Sequence, residues 1–171
     1  MLVPWAELQQ GTKIVPQTEM NGGSHYSTYP AFHLSGKLGL HQAAHQRCRL
    51  VTREWFSATE YWNDVRAHDV RTAGLVGPLA AMLLAQPQQP DDADNPLETV
   101  MMGPLSPQLE EFKRRFGIRH VATGYGMTEI GFPLASGWDP PNTRTCGRRR
   151  EGDPGYEIRI VDEHAYDVPV G

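Results

Sequence analysis

Between residues 48 and 124, short apolar runs alternate with amphipathic patterns of helical period, and this alternation limits the fold more tightly than any other property of the chain. CRLVTR (48–53) predicts a short buried strand. SATEYWNDVRAHD (57–69) predicts a helix: Ser57 and Glu60 form a capping box, and Tyr61, Trp62 and Val65 make its apolar stripe. VRTAGLVG (70–77) reads as the next strand, and PLAAMLLAQ (78–86) as a helix with proline in its first turn. LETVMMG (97–103) is a strand and SPQLEEFKRRFG (106–117) a helix, with Ser106 as cap and Gly117 as stop. IRHVATG (118–124) is a further strand. Such spacing implies βα units, hence an α/β fold with a mostly parallel sheet flanked by helices. In sheets of this kind ligands bind at the carboxyl ends of the strands. Gly103 and Tyr125 are expected at two such ends.

The flanks are less regular. Residues 5–20 are weakly helical at best. YSTYPAFHLSG (26–36) begins as a β-prone run that Pro30 should end. KLGLHQAAHQ (37–46) reads as a helix with Leu38, Leu40, Ala43 and Ala44 turned inward. PQQPDDADNP (87–96) is expected to be a mobile, acidic loop. YEIRIVD (156–162) alternates in character and predicts a half-buried strand, giving the chain a β-rich C-terminal end.

Composition removes several classes of function. The chain has 171 residues, enough for one domain or a large piece of one. Its net charge is −4, with no basic stripe, so a nucleic-acid partner has no electrostatic footprint. No apolar run is long enough to span a bilayer. MLVPWAELQQ lacks the pattern of a secretory leader. Two cysteines without regular spacing fit a reduced, cytoplasmic protein.

GYGMTE (124–129) is the segment most suited to chemistry. Its glycines let the backbone approach a flat or charged ligand. Tyr125 can stack on an aromatic base, and the Thr128 hydroxyl can meet phosphate oxygens. Glu129 is a hard oxygen ligand of the kind Mg²⁺ takes alongside substrate phosphates. Equally consistent with the spacing is a glycine-rich turn opening a helix, with Thr128 as cap and Glu129 at the positive helix end. His41 and His45 have the i, i+4 spacing of a metal clamp, but no third ligand is evident, and a polar helix face explains them better. RRRE (148–151) reads as a solvated turn, and Cys146 lacks the partners of a catalytic thiol.

YGMTE, preceded by PAFHLSG and followed by GRRREGDPGYEIRIVDE, resembles the adenylate-forming (AMP-binding) superfamily, in particular its acyl-CoA synthetases. The three motifs stand in that family's order, and the resemblance covers essentially the whole chain. It implies part of the large domain of an enzyme that activates a carboxylic acid with ATP and Mg²⁺ and transfers the acyl group to CoA. Carried over by position, Gly103, Pro104 and Leu105 border the adenine, Tyr125 lines it, and Gly126 and Met127 continue the nucleotide site. Thr128 contacts the α-phosphate or acyl-adenylate and Glu129 holds Mg²⁺, which makes these two the catalytic candidates. His33 gates the acyl pocket, with Gly124 and Gly126 beside it. The histidine favours a CoA ligase over an adenylation domain loading a carrier protein, which usually has an acid there. A nucleotide-binding remnant without activity is the other reading. By the same resemblance, residues 1–171 would be an internal slice. A phosphate loop would precede it and a lysine-bearing C-terminal domain would follow, and the isolated slice would have little ligase activity.

Overall fold

The computed structural model describes residues 23–149 and 156–168. The segment 5–20 lies outside them. The strands are β1 (Ser24–Ser27), β2 (Arg49–Thr52), β3 (Val70–Leu75), β4 (Thr99–Met102), β5 (His120–Met127), β6 (Gly131–Trp138) and β7 (Arg148–Arg149). The helices are α1 (Leu34–Gln46), α2 (Tyr61–Ala67), α3 (Gly77–Leu84) and α4 (Leu109–Phe116). Among the described residues the strands form a single sheet in the order β2-β1-β3-β4-β5-β6-β7. The first five positions are parallel, and β6 and β7 extend the sheet antiparallel.

Register sorts the side chains onto two unlike faces. Tyr26, Ala73, Val100 and Val121 stand in one cross-strand row, and Leu75 and Met102 in the next row on that face. These residues join Tyr61, Trp62 and Val65 of α2, Ala80 and Leu83 of α3, and Leu109, Phe112 and Phe116 of α4 in the apolar core. Tyr26 stacks on Tyr61 with ring centroids 5.1 Å apart, and Trp62 on Phe116 at 4.3 Å. Consecutive strand residues point to opposite faces, so the other face carries His25, Ser27, Thr72, Gly74, Thr99 and Met101. It is polar yet buried at His25, Ser27, Thr72 and Thr99. Helix α1 lies on this side, with Gly39 directly against the Ser27 side chain.

Local signals place the helices. Gly117 ends α4 in the left-handed region at φ 68°, where glycine has no Cβ to clash. Helix α2 begins at Tyr61, after the Ser57 hydroxyl accepts the Glu60 amide; Glu60 turns its carboxylate to Asn63 instead of completing the capping box. Other expectations fail as well. Strand β2 is a half-exposed sheet edge, not a buried strand. Leu40 and Ala44 are exposed, and α1 buries Gly39, Gln42 and Ala43 instead. The acidic loop is tied down: Arg115 donates to Asp92 and to the carbonyls of Leu84 and Gln86, and Arg66 donates to the carbonyls of Asp91 and Asp94. Residues 156–162 form no ladder with the sheet; Val161 makes an isolated bridge to Asp167.

Candidate functional site

The chain leaves β1 through α1 toward β2 and leaves β3 through α3 toward β4, in opposite directions along the sheet. The connections therefore part between β1 and β3, and it is at the carboxyl ends beside such a switch point that α/β folds bind ligands. Thr28 and Tyr29 follow β1, and Val76 and Gly77 follow β3. Gly103–Leu105 follow β4, and the second half of β5 completes the rim.

The segments along this rim are joined by their backbones. The Gly103 amide donates to the Leu75 carbonyl at 3.2 Å, and the Gly77 amide to the Pro104 carbonyl at 3.0 Å. The Gly103–Pro104 peptide bond is cis. A Cβ on Gly103 would stand 3.7 Å from the Gly124 carbonyl oxygen, so these two glycines are direct neighbours. Leu105 is buried in the core while Pro104 faces solvent.

Residues 124–129 do not open a helix. Strand β5 runs through Met127, and Thr128, Glu129 and Ile130 form the turn into β6. Gly124 pairs with Ala135, Tyr125 with Leu134 and Met127 with Gly131, with register breaks on either side of the Gly124–Tyr125 pairs. Gly131 has φ 67°, and a Cβ there would meet the Tyr156 hydroxyl at 2.6 Å. Tyr125 and Met127 are each 44% exposed. Glu129 is exposed and makes no hydrogen bond or ion pair among the described residues. The hairpin thus presents an aromatic ring, a hydroxyl and a carboxylate unpaired among the described residues, in six residues of chain.

His33 is exposed and caps α1: its Nδ1 accepts the Ser35 amide at 3.2 Å. It follows β1, on the other side of the β1–β3 switch point from β4 and β5. Three strand positions separate β1 from β5, about 14 Å at ~4.8 Å per strand. The structure therefore brings Gly103 and Gly124 together, and His33 belongs to the connection after β1, away from them along the sheet. Among the described residues no three His, Cys, Asp or Glu side chains gather as a metal cage, around His41 and His45 or elsewhere. Both cysteines are free, and Cys146 is exposed.

Two features escape a sequence reading. Thr28 donates its hydroxyl to the Gly74 carbonyl at 2.9 Å, and Tyr29 donates to the Leu75 carbonyl at 2.8 Å. At the other end of the hairpin, Asp139 accepts from Lys113 at 2.7 Å and from the Val121 amide at 3.1 Å, with His120 Nδ1 at 2.6 Å. Burial works against the Asp139 carboxylate, and the three donors outweigh it and hold its pKa below the ordinary value. The adjacent Thr-Tyr pair before Pro30 was the available signal for the first; nothing local marks the second.

The model of the AMP-binding enzyme family matches residues 7–171. The chain belongs to that family. It is 37% identical over 118 residues to the medium/long-chain-fatty-acid–CoA ligase FadD17 of Mycobacterium tuberculosis, covering 68% of the chain and 23% of the relative. It is 28% identical over 145 residues to long-chain fatty acid transport protein 1 of Bos taurus, covering 84% of the chain and 21% of that protein. It thus spans about a quarter of the length of the curated relatives it matches. Its fold is similar to part of the benzoate CoA ligase from Burkholderia xenovorans, with TM-score 0.78, 23% identity, and coverage of 97% of this chain and 35% of that one. The O-succinylbenzoate coenzyme A synthetase of Bacillus subtilis, solved with ATP and a magnesium ion, matches at TM-score 0.72 and 19% identity, covering 96% and 34%. No helix among the described residues is long and apolar enough to cross a membrane.

Proposed function

We propose that the chain provides the nucleotide- and acid-binding rim of an enzyme that activates a carboxylic acid with ATP and transfers the acyl group to CoA. The observation that carries this reading is the adjacency of Gly103 and Gly124 at the carboxyl ends of β4 and β5, with the Tyr125–Glu129 hairpin immediately beyond. Gly103, Pro104 and Leu105 would border the adenine, with Tyr125 against its face and Gly126 and Met127 continuing the site. Thr128 would donate to the α-phosphate. His33, Gly124 and Gly126 would bound the acyl group. Medium- or long-chain fatty acids are the acids named by the curated relatives, and they are the class we assign.

The chemistry follows from this placement. A carboxylate oxygen attacks the α-phosphorus, and pyrophosphate leaves with the electron pair of the broken P–O bond. A thiolate then attacks the acyl carbon and AMP leaves. The first step needs positioning and charge neutralisation more than covalent help. Glu129 fits Mg²⁺ because its carboxylate is exposed and unpaired among the described residues, and this cation relies on few protein carboxylates together with substrate phosphates. When bound there, Mg²⁺ would neutralise charge on the phosphates. A reduced, cytoplasmic setting suits the two free thiols.

Calorimetric titration of the chain with ATP and Mg²⁺ tests the reading. Tyr125→Ala should weaken nucleotide binding by about 1–3 kcal/mol, the range measured for base–aromatic stacking. Equal affinity of the variant and the unsubstituted chain would refute the adenine site, as would failure of the unsubstituted chain to bind nucleotide.

A further inference from the structure

Tyr29 stands just past β1 at the switch point between β1 and β3, where the connections run in opposite directions. Its ring lies so close to Gly74 that a Cβ there would stand 2.6 Å from the ring edge. Its hydroxyl donates to the Leu75 carbonyl at 2.8 Å, and the same oxygen accepts the Gly103 amide at 3.2 Å. One carbonyl thus holds two segments that are far apart in sequence: the run leading through Pro30 to His33, and the run Gly103–Leu105. Thr28 reinforces the first attachment through the Gly74 carbonyl. The backbone of β1 has stopped pairing by this point, so side-chain hydroxyls continue the β1–β3 contact that the ladder leaves off at Ser27 and Gly74. Burial pushes the Tyr29 phenol well above its ordinary pKa, so it stays an O–H donor across the working range of pH.

We propose that Tyr29 is a positioning residue that locks the His33 segment to the Gly103 segment through the shared Leu75 carbonyl, setting the distance between the two ends of the ligand site. This rests on the nucleotide reading above for its purpose, but the lock itself is a property of the chain. It touches no reacting atom: the ring lies against Gly74, and the hydroxyl is spent on a carbonyl. Loss of the hydroxyl should therefore loosen Gly103 while the aromatic plug stays in place.

Tyr29→Phe removes only the hydroxyl. Amide hydrogen exchange in the purified chain should be about 5-fold faster at Gly103 in this variant, the size expected for one lost hydrogen bond, with Phe112 and Phe116 unchanged. Gly74→Ala, which pushes the ring aside from the other direction, should accelerate Gly103 in the same way. AMP affinity, measured in parallel, should fall in both variants. Unchanged exchange at Gly103 in Tyr29→Phe overturns the lock, whatever AMP does. Faster exchange with AMP affinity unchanged overturns the positioning role. If the unsubstituted chain binds no AMP, the nucleotide reading fails and the positioning role fails with it, and the exchange rates still decide the lock.

Discussion

Gly126 lies so close to Gly131 across the hairpin that a Cβ on Gly126 would stand 2.4 Å from the Gly131 carbonyl oxygen and 2.5 Å from the Phe132 ring. The obstruction on one side is backbone, which cannot swing away. Gly126→Ala should destabilise the chain by about 1–3 kcal/mol, as overpacking does. Denaturant titration of the two proteins measures it. A difference below about 0.5 kcal/mol would show that the hairpin has room the packing does not suggest.

Gly103→Ala should behave in the opposite manner. The nearest atom to the added methyl is the Gly124 oxygen at 3.7 Å, an ordinary contact. The fold should tolerate it, with the melting temperature within a few degrees of the unsubstituted chain. The methyl would sit where we place the adenine border, so ATP affinity should drop at least 10-fold. A variant that melts early, or binds ATP normally, contradicts this pair of expectations.

Glu129→Gln separates a metal ligand from a structural acid. The side chain is exposed and has no partner among the described residues, so stability should change by less than about 0.5 kcal/mol. If Glu129 neutralises charge through Mg²⁺, the adenylation rate of an intact version of the enzyme should fall about 100- to 1,000-fold. Pyrophosphate release followed alongside a melting curve distinguishes the two. A lower melting point with unchanged pyrophosphate release would assign Glu129 to the fold.

His25 makes stability depend on pH. It is buried on the polar face, with Nδ1 2.7 Å from the Thr72 hydroxyl. Burial lowers its pKa from 6.5 to about 4. Between these values the unfolded chain binds a proton that the folded chain does not, so stability rises with pH. Stability should be complete above pH 6.5 and decline by about 3 kcal/mol as pH falls to 4. His25→Gln should flatten that part of the profile. Parallel profiles from urea melts at several pH values would count against the assignment.

The sequence was most informative where structure is local. The strands near 70–77, 97–103 and 118–124 and the helix closed by Gly117 follow from period and punctuation, and all appear close to where they were expected. The errors sit where distant partners decide. Leu40 was expected inside, but α1 meets the sheet through Gly39, because the Ser27 side chain of β1 needs that space. The acidic loop looked free until Arg115, two dozen residues later, supplied the donors that hold it. GYGMTE resembles a turn because of its glycines; pairing with β6, which no local signal announces, keeps Gly124–Met127 in a strand and leaves only Thr128 and Glu129 in the turn. The same limit hid Tyr29, whose hydroxyl finds its acceptor on β3 only after the sheet has assembled.

The two halves of β5 have unequal support. His120, Val121 and Ala122 are gripped by β4 on one side, and β6 begins its grip on the other. From Gly124 onward β5 has β6 alone. The hairpin is therefore a beam held most firmly at its root, and Asp139 is the bolt there, roughly 20 Å from Met127 along the extended strand. A beam of this kind turns small rotations at the root into larger displacements at the end. Tyr125, Thr128 and Glu129 ride on that end, so the aim of these three side chains is governed by groups at the opposite end of the hairpin.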